Sequence, residues 1–259
     1  MRSPGILASI ALCALLVLCV VGRASATDFY ELQMYTVDTE PQGHLMVELH
    51  SNSVTSAYNI NTELPLYQVH NTLEVTYGLL PHVEVGEYMC TARLNNAYKL
   101  VGGRTKVHFG LPQTYEWPVR LGMNIELQYM SRQAVTDPFN IEFMPIAQTE
   151  IKGFLLVADL TFERQFSGPG THAGVGFEPA GEVTYRLHGE WNWLEPALEY
   201  YGDIGPVKAP VPIAEQQQFI VPSFNLYLTP PLEFNFGVGF GVTRYNSGDF
   251  VKGTVGWSF

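Results

Sequence analysis

The sequence predicts an all-β chain: a single transmembrane antiparallel β-barrel of about twelve strands, following an N-terminal signal peptide. Three observations carry this. Apolar residues recur with a period of two over most of the chain, as on strands with one apolar and one polar face. The connections between these runs tend to alternate between short and longer, the plan of a membrane barrel. The chain opens like an export signal and closes a strand on phenylalanine.

Composition excludes other classes. Charged residues are 15% of the 259, well under the ~25% of ordinary soluble domains, and aromatics are 13%. A disordered chain shows the reverse. With 14 Lys and Arg against 25 Asp and Glu, net charge -11, no nucleic-acid partner is expected, because phosphate binding calls for a basic excess.

Residues 1–26 read as the signal peptide. Met1-Arg2 supplies the positive start, Ile6 to Val21 is apolar apart from Ser9, and Ala24-Ser25-Ala26 is a small-residue cleavage site. The apolar run is short of the ~20 residues of a spanning helix. Leu18 precedes Cys19 where a lipoprotein signal has a small residue. Cleavage after Ala26 removes Arg2 and Arg23, leaving 12 basic against 25 acidic residues, net -13. Cys13 and Cys19 leave with it, so Cys90 stands alone and neither an internal disulfide nor a cysteine metal site is expected.

Residues 27–42 are expected as a periplasmic lead-in or a short strand near 28–37, and residues 43–259 as the barrel. Strands are predicted near 43–54, 67–79, 82–93, 99–111, 117–130, 138–148, 152–164, 177–188, 193–203, 217–228, 231–244 and 248–259. The clearest is 231–243, where Leu232, Phe234, Phe236, Val238, Phe240 and Val242 oppose Glu233, Asn235, Gly237, Gly239, Gly241 and Thr243. Short turns are expected at 80–81, 112–116, 149–151, 189–192 and 229–230. Longer loops are expected at 55–66, 94–98, 131–137, 165–176 and 204–216, with 245–247 as a short exception. Pro145, Pro196 and Pro222 fall inside strands, where each removes a ladder hydrogen bond, and Glu87 falls on an apolar face.

Periodicity alone does not say which face points out. A soluble barrel buries its apolar face, whereas a membrane barrel turns it to lipid and keeps polar groups in the lumen. The C-terminus favours the membrane. Val251, Gly253, Val255, Trp257 and Phe259 share a face, and a last strand ending in Phe with an aromatic two residues earlier resembles the sorting signal of Gram-negative outer-membrane barrels. Trp257 and Phe259 are therefore the expected assembly signal, with outer-membrane lipid and the barrel assembly machinery as partners. Trp117, Trp191, Trp193, Tyr129, Tyr200, Tyr201, Tyr227 and Trp257 lie near strand ends, as interfacial girdles require.

Several short segments resemble a family of proteobacterial outer-membrane barrels labelled MetA-pathway of phenol degradation, or simply transporter. They are Glu40-Pro41-Gln42-Gly43 with Val47-Glu48-Leu49-His50, then Leu198 to Pro206, and Phe236-Gly237-Val238-Gly239-Phe240-Gly241. The resemblance implies an outer-membrane barrel. It implies little about the solute and carries over no catalytic residue.

With the apolar face outward, the lumen is lined by Glu48, Glu74, Glu84, Glu126, Glu142, Asp159, Glu163, Glu178, Glu182, Glu195, Glu199 and Glu233, with the bases Arg104, Lys106, Arg120, Arg186 and Lys252. The bases gather on 99–111 and 117–130, and strands 152–203 are acidic. Such a charge division sets up a transverse field that selects solutes. The alternative is an interior filled by ion pairs, because unpaired buried charge is costly. Twelve strands fit either a small channel or a filled core.

His50, His70 and His108 also face inward, and Glu48 and Glu74 are close in register. Histidine beside carboxylate suits a divalent metal or an acid–base pair, but no metal motif is present, and neither a metal nor another cofactor is expected. An enzyme is not expected either: no G-x-S-x-G elbow occurs, and His50 and Ser51 point to opposite faces. The minority reading is a lumenal hydrolase using one of these histidines. The prediction is a passive channel or binding barrel for an unknown small solute, with an acid-rich lumen. Gly237, Gly239 and Gly241 read as a smooth patch of lumen wall, and Gly205 to Pro212 as a loop over or into the mouth.

Overall fold

The structure is a computed structural model that describes residue 30 and residues 32–56, 69–94, 97–112, 117–229, 231–244 and 248–259. The signal-peptide reading of 1–26, with Cys13 and Cys19, lies outside the described residues. So do most of the 55–66 loop, the turn at 113–116 and the segment 245–247.

Twelve long strands close into one antiparallel barrel. They are β1 (Leu45–Ser56), β2 (Val69–Leu80), β3 (Val83–Leu94), β4 (Ala97–Gly110), β5 (Arg120–Met130), β6 (Phe139–Ile151), β7 (Phe154–Gln165), β8 (Val175–Tyr185), β9 (Leu194–Asp203), β11 (Gln217–Thr229), β12 (Leu232–Gly241) and β13 (Asp249–Ser258). A two-residue strand, β10 (Gly205–Pro206), pairs with the start of β8. The ring closes because β1 pairs with both β2 and β13, and β9 pairs with both β8 and β11. All twelve strands predicted within 43–259 are present, with ends shifted by a few residues.

Closure puts tight turns at one end, at 81–82 and 152–153, together with Phe259. Lys152 and Gly153 both have positive φ, 52° and 83°, the pair that a two-residue hairpin of matching twist requires. The other end carries 131–138, 166–174, 204–216 and the described residues 242–244 and 248. The expected loop at 94–98 is replaced by strand on both sides, since β3 reaches Leu94 and β4 begins at Ala97. The connections 111–119 and 186–193, at the tight-turn end, run longer than expected.

The prolines sit where a ladder is interrupted. Pro145 pairs toward β5, but the β6–β7 ladder skips from Phe143 to Ile146. Pro222 pairs toward β9, and the β11–β12 ladder skips from Ile220 to Ser223. The β8–β9 ladder stops at Ala197, one residue before Pro196. Each missing donor thus faces a gap and leaves no broken bond. Glu87 needs no bulge either: it points outward and accepts a hydrogen bond from Thr105 Oγ1 at 2.7 Å.

The faces divide as a membrane barrel demands. Buried inward positions include Glu48, His50, Thr72, Glu74, Lys106, Asn124, Glu126 and Gln148. Leu49, Leu127, Phe143, Leu160, Leu198, Phe224, Phe236 and Val255 are outward and exposed. An exposed apolar belt on this scale needs an apolar partner. Trp117, Trp191 and Trp257 flank it at the tight-turn end, and Tyr129 and Phe139 at the other. Tyr201 and Tyr227 do not join the girdle: Tyr201 is buried against Lys252, and Tyr227 lies on the lumen side of β11.

The largest departure from expectation is the segment before β1. Residues 32–41 form no strand. They run down the inside of the barrel, from Tyr30 at the long-loop end to Glu40 at the tight-turn end. Tyr30 stacks on His70 with ring centroids 4.4 Å apart. Leu32 packs on Tyr201, Phe219, Val221 and Phe250. Tyr35 and Val37 pack on Ile146, Leu155 and Val157. Val37 passes against Gly110, and Pro41 against Gly78. A Cβ at either glycine would collide with the segment's backbone, so these positions need glycine for close approach.

Candidate functional site: the lumen beside its N-terminal segment

The lumen is built from inward side chains of neighbouring strands, and register decides which of them meet. On the β1–β6 side, Glu84 lies opposite His108 and Gly86 opposite Lys106. The missing Cβ at Gly86 leaves room for the Lys106 stem. Lys106 Nζ then reaches Glu74 Oε1 at 2.5 Å and Glu84 Oε1 at 3.2 Å. His50 Nε2 lies 3.1 Å from Glu74 Oε2, and His108 Nδ1 lies 3.1 Å from Glu84 Oε1. Arg104 pairs with Glu126 at 3.1 Å and Glu142 at 3.9 Å, and donates to Gln128. Lys106 and Arg104, expected to help create a transverse field, are therefore matched by acids one strand away (Glu84, Glu126) and two strands away (Glu74, Glu142).

The N-terminal segment is bonded to this wall. Tyr35 N–H donates to Asp159 Oδ2 at 2.8 Å. Tyr35 OH meets Tyr88 OH at 2.7 Å and donates to Glu126 Oε1 at 2.8 Å. Val37 N–H donates to Gln148 Oε1 at 2.8 Å. Lower down, Arg120 holds Asp38 through two hydrogen bonds, at 3.0 and 2.7 Å. These bonds keep the Asp38 carboxyl below the usual carboxylate range. Glu40 N–H donates to Glu84 Oε2 at 2.6 Å, and Glu40 accepts from Ser258.

The opposite wall differs. Lys252 pairs with Glu199 and donates to Tyr201 OH at 3.1 Å and to Leu32 O at 3.0 Å. Arg186, at the tight-turn rim, meets Glu150 at 3.1 Å and Glu195 at 3.5 Å. Among the described residues, no ion pair reaches Glu178, Glu182 or Glu233 here, nor Asp159 or Glu163 on β7 of the covered side. Beside the segment lies a cavity of about 400 Å³. Glu182, Glu195, Glu199 and Glu233 line it on this side with Lys252 and Arg186, Glu48, Glu84, Lys106 and His108 line it on the other, and it extends to the rim.

Most of the expected lumen residues are buried, and Glu142, Glu178, Glu182, Glu195 and Glu233 are half-buried. Arg120 and Arg186 sit at the rim, and Arg186 lies just past β8. The sequence reading missed Tyr35, Asp38, Tyr88 and Asp203. Tyr88 and Asp203 share the inward parity of their strands and were legible that way. Gly237 and Gly239 are not open wall: the Phe250 ring fills the space at Gly239, and Val221 and Lys252 the space at Gly237. The 205–212 loop folds back, with Gly205 opposite Phe177 and Val211 buried.

His50 lies between a carboxylate and a hydroxyl, with Nδ1 3.3 Å from Thr254 Oγ1. Thr254 lies in a strand paired on both sides, opposite His50 and Asn235. Its backbone is thus committed to the sheet and offers no pair of free N–H groups for an oxyanion, the donor set that acyl transfer requires.

No protein-family model matches the chain, and no curated protein matches it. Solved structures do. A crystal structure of an outer membrane channel from Pseudomonas putida F1 matches 88% of this chain and 100% of its own, with a TM-score of 0.62 and 8% identity. A porin, NanC, matches over 82% of this chain and 98% of its own, with a TM-score of 0.53 and 11% identity. The chain has the fold of an outer-membrane β-barrel. That fold accounts for the polar interior and apolar exterior together.

Proposed function

We propose that the barrel is a passive outer-membrane channel for small solutes in a Gram-negative bacterium, with its path along the acid-lined wall of the lumen. The cavity beside the N-terminal segment carries this reading: it is polar, reaches the rim and holds more carboxylates than bases. An acid excess at a narrow passage favours cations and cationic or neutral polar solutes. The names of the two matched structures, a channel and a porin, support the class. Trp257 and Phe259, exposed at the end of the strand that pairs with β1, suit the assembly signal. The short segments resembling the MetA-labelled family fit the same class. No covalent chemistry is assigned.

A filled structural barrel is the second reading, and the N-terminal segment favours it, because that segment occupies the lumen beside β3–β7. Liposome swelling with the purified barrel separates the two. The channel reading expects flux of small cationic and neutral solutes above that of empty liposomes. A correctly inserted barrel with no flux would leave the filled-barrel reading.

A further inference from the structure

We propose that Glu48, His50 and Glu74 form a binding site for one divalent transition-metal ion of the Zn²⁺ class, reached from the lumen cavity. One ligand atom from each residue lies within 4.8 Å of the other two. The register produces this grouping: Glu48 and Glu74 are direct cross-strand partners on β1 and β2, and His50 follows Glu48 by two residues on the same face. His50 Nε2 and Glu74 Oε2 are 3.1 Å apart. Two ligands of a tetrahedral zinc with bonds of about 2.0–2.1 Å adopt nearly that spacing.

Three further features point to a cation. Glu48 is 8% exposed, and among the described residues nothing pairs with it. Like charges directly opposed across two strands destabilise a sheet, so Glu48 beside Glu74 requires compensation. Lys106 supplies only part of it, because it is shared between Glu74 and Glu84. With His50 and His108 neutral and all three carboxyls ionised, Glu48, Glu74 and Glu84 against the Lys106 ammonium leave an excess of two negative charges, which a dication balances.

The surroundings suit coordination. Glu74 Oε1 is taken by Lys106 and by Thr76 Oγ1 at 2.7 Å, which leaves Oε2 as a monodentate ligand. With its proton on Nδ1, His50 donates to Thr254 Oγ1 and turns the Nε2 lone pair to the metal. A hydrogen bond from the second ring nitrogen is how metal-binding histidines are held. Glu48 and Thr254 both line the cavity, so the fourth position opens to water or solute there. One imidazole with two carboxylates suits zinc and its first-row neighbours better than calcium, which takes six to eight oxygens.

The site goes beyond the channel reading, and the test keeps them apart because it is made in detergent. A silent barrel can still bind, and an open one can fail to. The chelator-stripped, refolded barrel is titrated with Zn²⁺ by calorimetry, and bound metal is counted by mass spectrometry. One Zn²⁺ per barrel is expected. Glu48→Gln and His50→Gln should each weaken binding tenfold or more, and Thr254→Val about tenfold. Glu163→Gln should leave it unchanged. Heat-modifiable gel mobility identifies folded variants. Should a variant not fold, Co²⁺ in the wild-type barrel gives the answer: intense visible bands of four- or five-coordinate cobalt are expected. The site is overturned by absence of stoichiometric uptake, by uptake indifferent to Glu48→Gln and His50→Gln, by a six-coordinate cobalt spectrum, or by Ca²⁺ displacing Zn²⁺.

Discussion

The two walls of the lumen use the same device, inward polar side chains at every second strand position, and reach opposite ends. On the β1–β6 side each of the two β4 bases meets one acid on the next strand and one on the strand beyond: Lys106 with Glu84 and Glu74, Arg104 with Glu126 and Glu142. Tyr35 and Val37 of the N-terminal segment are bonded and packed onto the β3–β7 part of the barrel. On the β8–β12 side most acids have no ion pair, and a cavity remains. The difference teaches that a polar lumen is not by itself a passage. Complementary charge and a covering peptide turn one wall into a core, and the wall left with excess carboxylate becomes the proposed path.

That contrast can be broken by removing the cover. Deleting residues 30–40 should raise single-channel conductance several-fold, because the space along β3–β7 joins the cavity. Unchanged conductance would show that the segment does not limit flow. The next largest effect is on the paired wall itself. Arg104→Met leaves Glu126 and Glu142 buried without their cation, a cost of about 3–5 kcal/mol. It should lower the unfolding temperature in detergent far more than Glu233→Gln on the opposite wall.

Tyr35→Phe tests the seam between segment and wall. It removes the hydroxyl that joins Tyr88 and Glu126, worth about 1–3 kcal/mol for buried polar groups left unmatched. Flickering conductance and faster hydrogen exchange at residues 32–40 are the expected readouts.

The smallest effect belongs to Asp38 and Arg120 at the rim. Because the folded carboxyl titrates below its ordinary value, the pair contributes fully above the usual carboxylate range and is lost as pH falls through the depressed value. The pair is partly exposed and worth about 0–1 kcal/mol. Asp38→Asn at neutral pH should therefore reproduce the modest loosening that wild type shows only in acid, read as exchange at residues 36–40. A pH response that persists unchanged in Asp38→Asn would assign it to another group.

Much of this was legible in the sequence because the strand period is rigid. Once the apolar face of 231–243 is set outward, the parity of every other strand follows, and with it the inward Glu48, Lys106, Glu126 and Lys252. Even the irregularity at Cys90 and Thr91, opposite a positive-φ Gly102, leaves Arg104, Lys106 and His108 in phase. The course of residues 30–40 was not legible. Their alternating pattern fits a short strand, and their true partners are remote: Asp159 lies 124 positions from Tyr35, and Glu126 lies 91. No local pattern encodes a peptide that pairs with side chains rather than with a neighbouring strand. Tyr201 and Tyr227 were misplaced for a related reason. Position near a strand end suggested a girdle, whereas parity, applied to them as to their neighbours, turns both inward.

The central claim is that solutes pass along the acid-rich wall, and the most direct measurement is the reversal potential of the wild-type barrel in a planar bilayer under a KCl gradient. The account predicts a small, steady conductance that prefers K⁺ over Cl⁻, with the preference reduced in Glu182→Gln/Glu233→Gln. Anion preference, or silence from a barrel shown to be inserted, would contradict it.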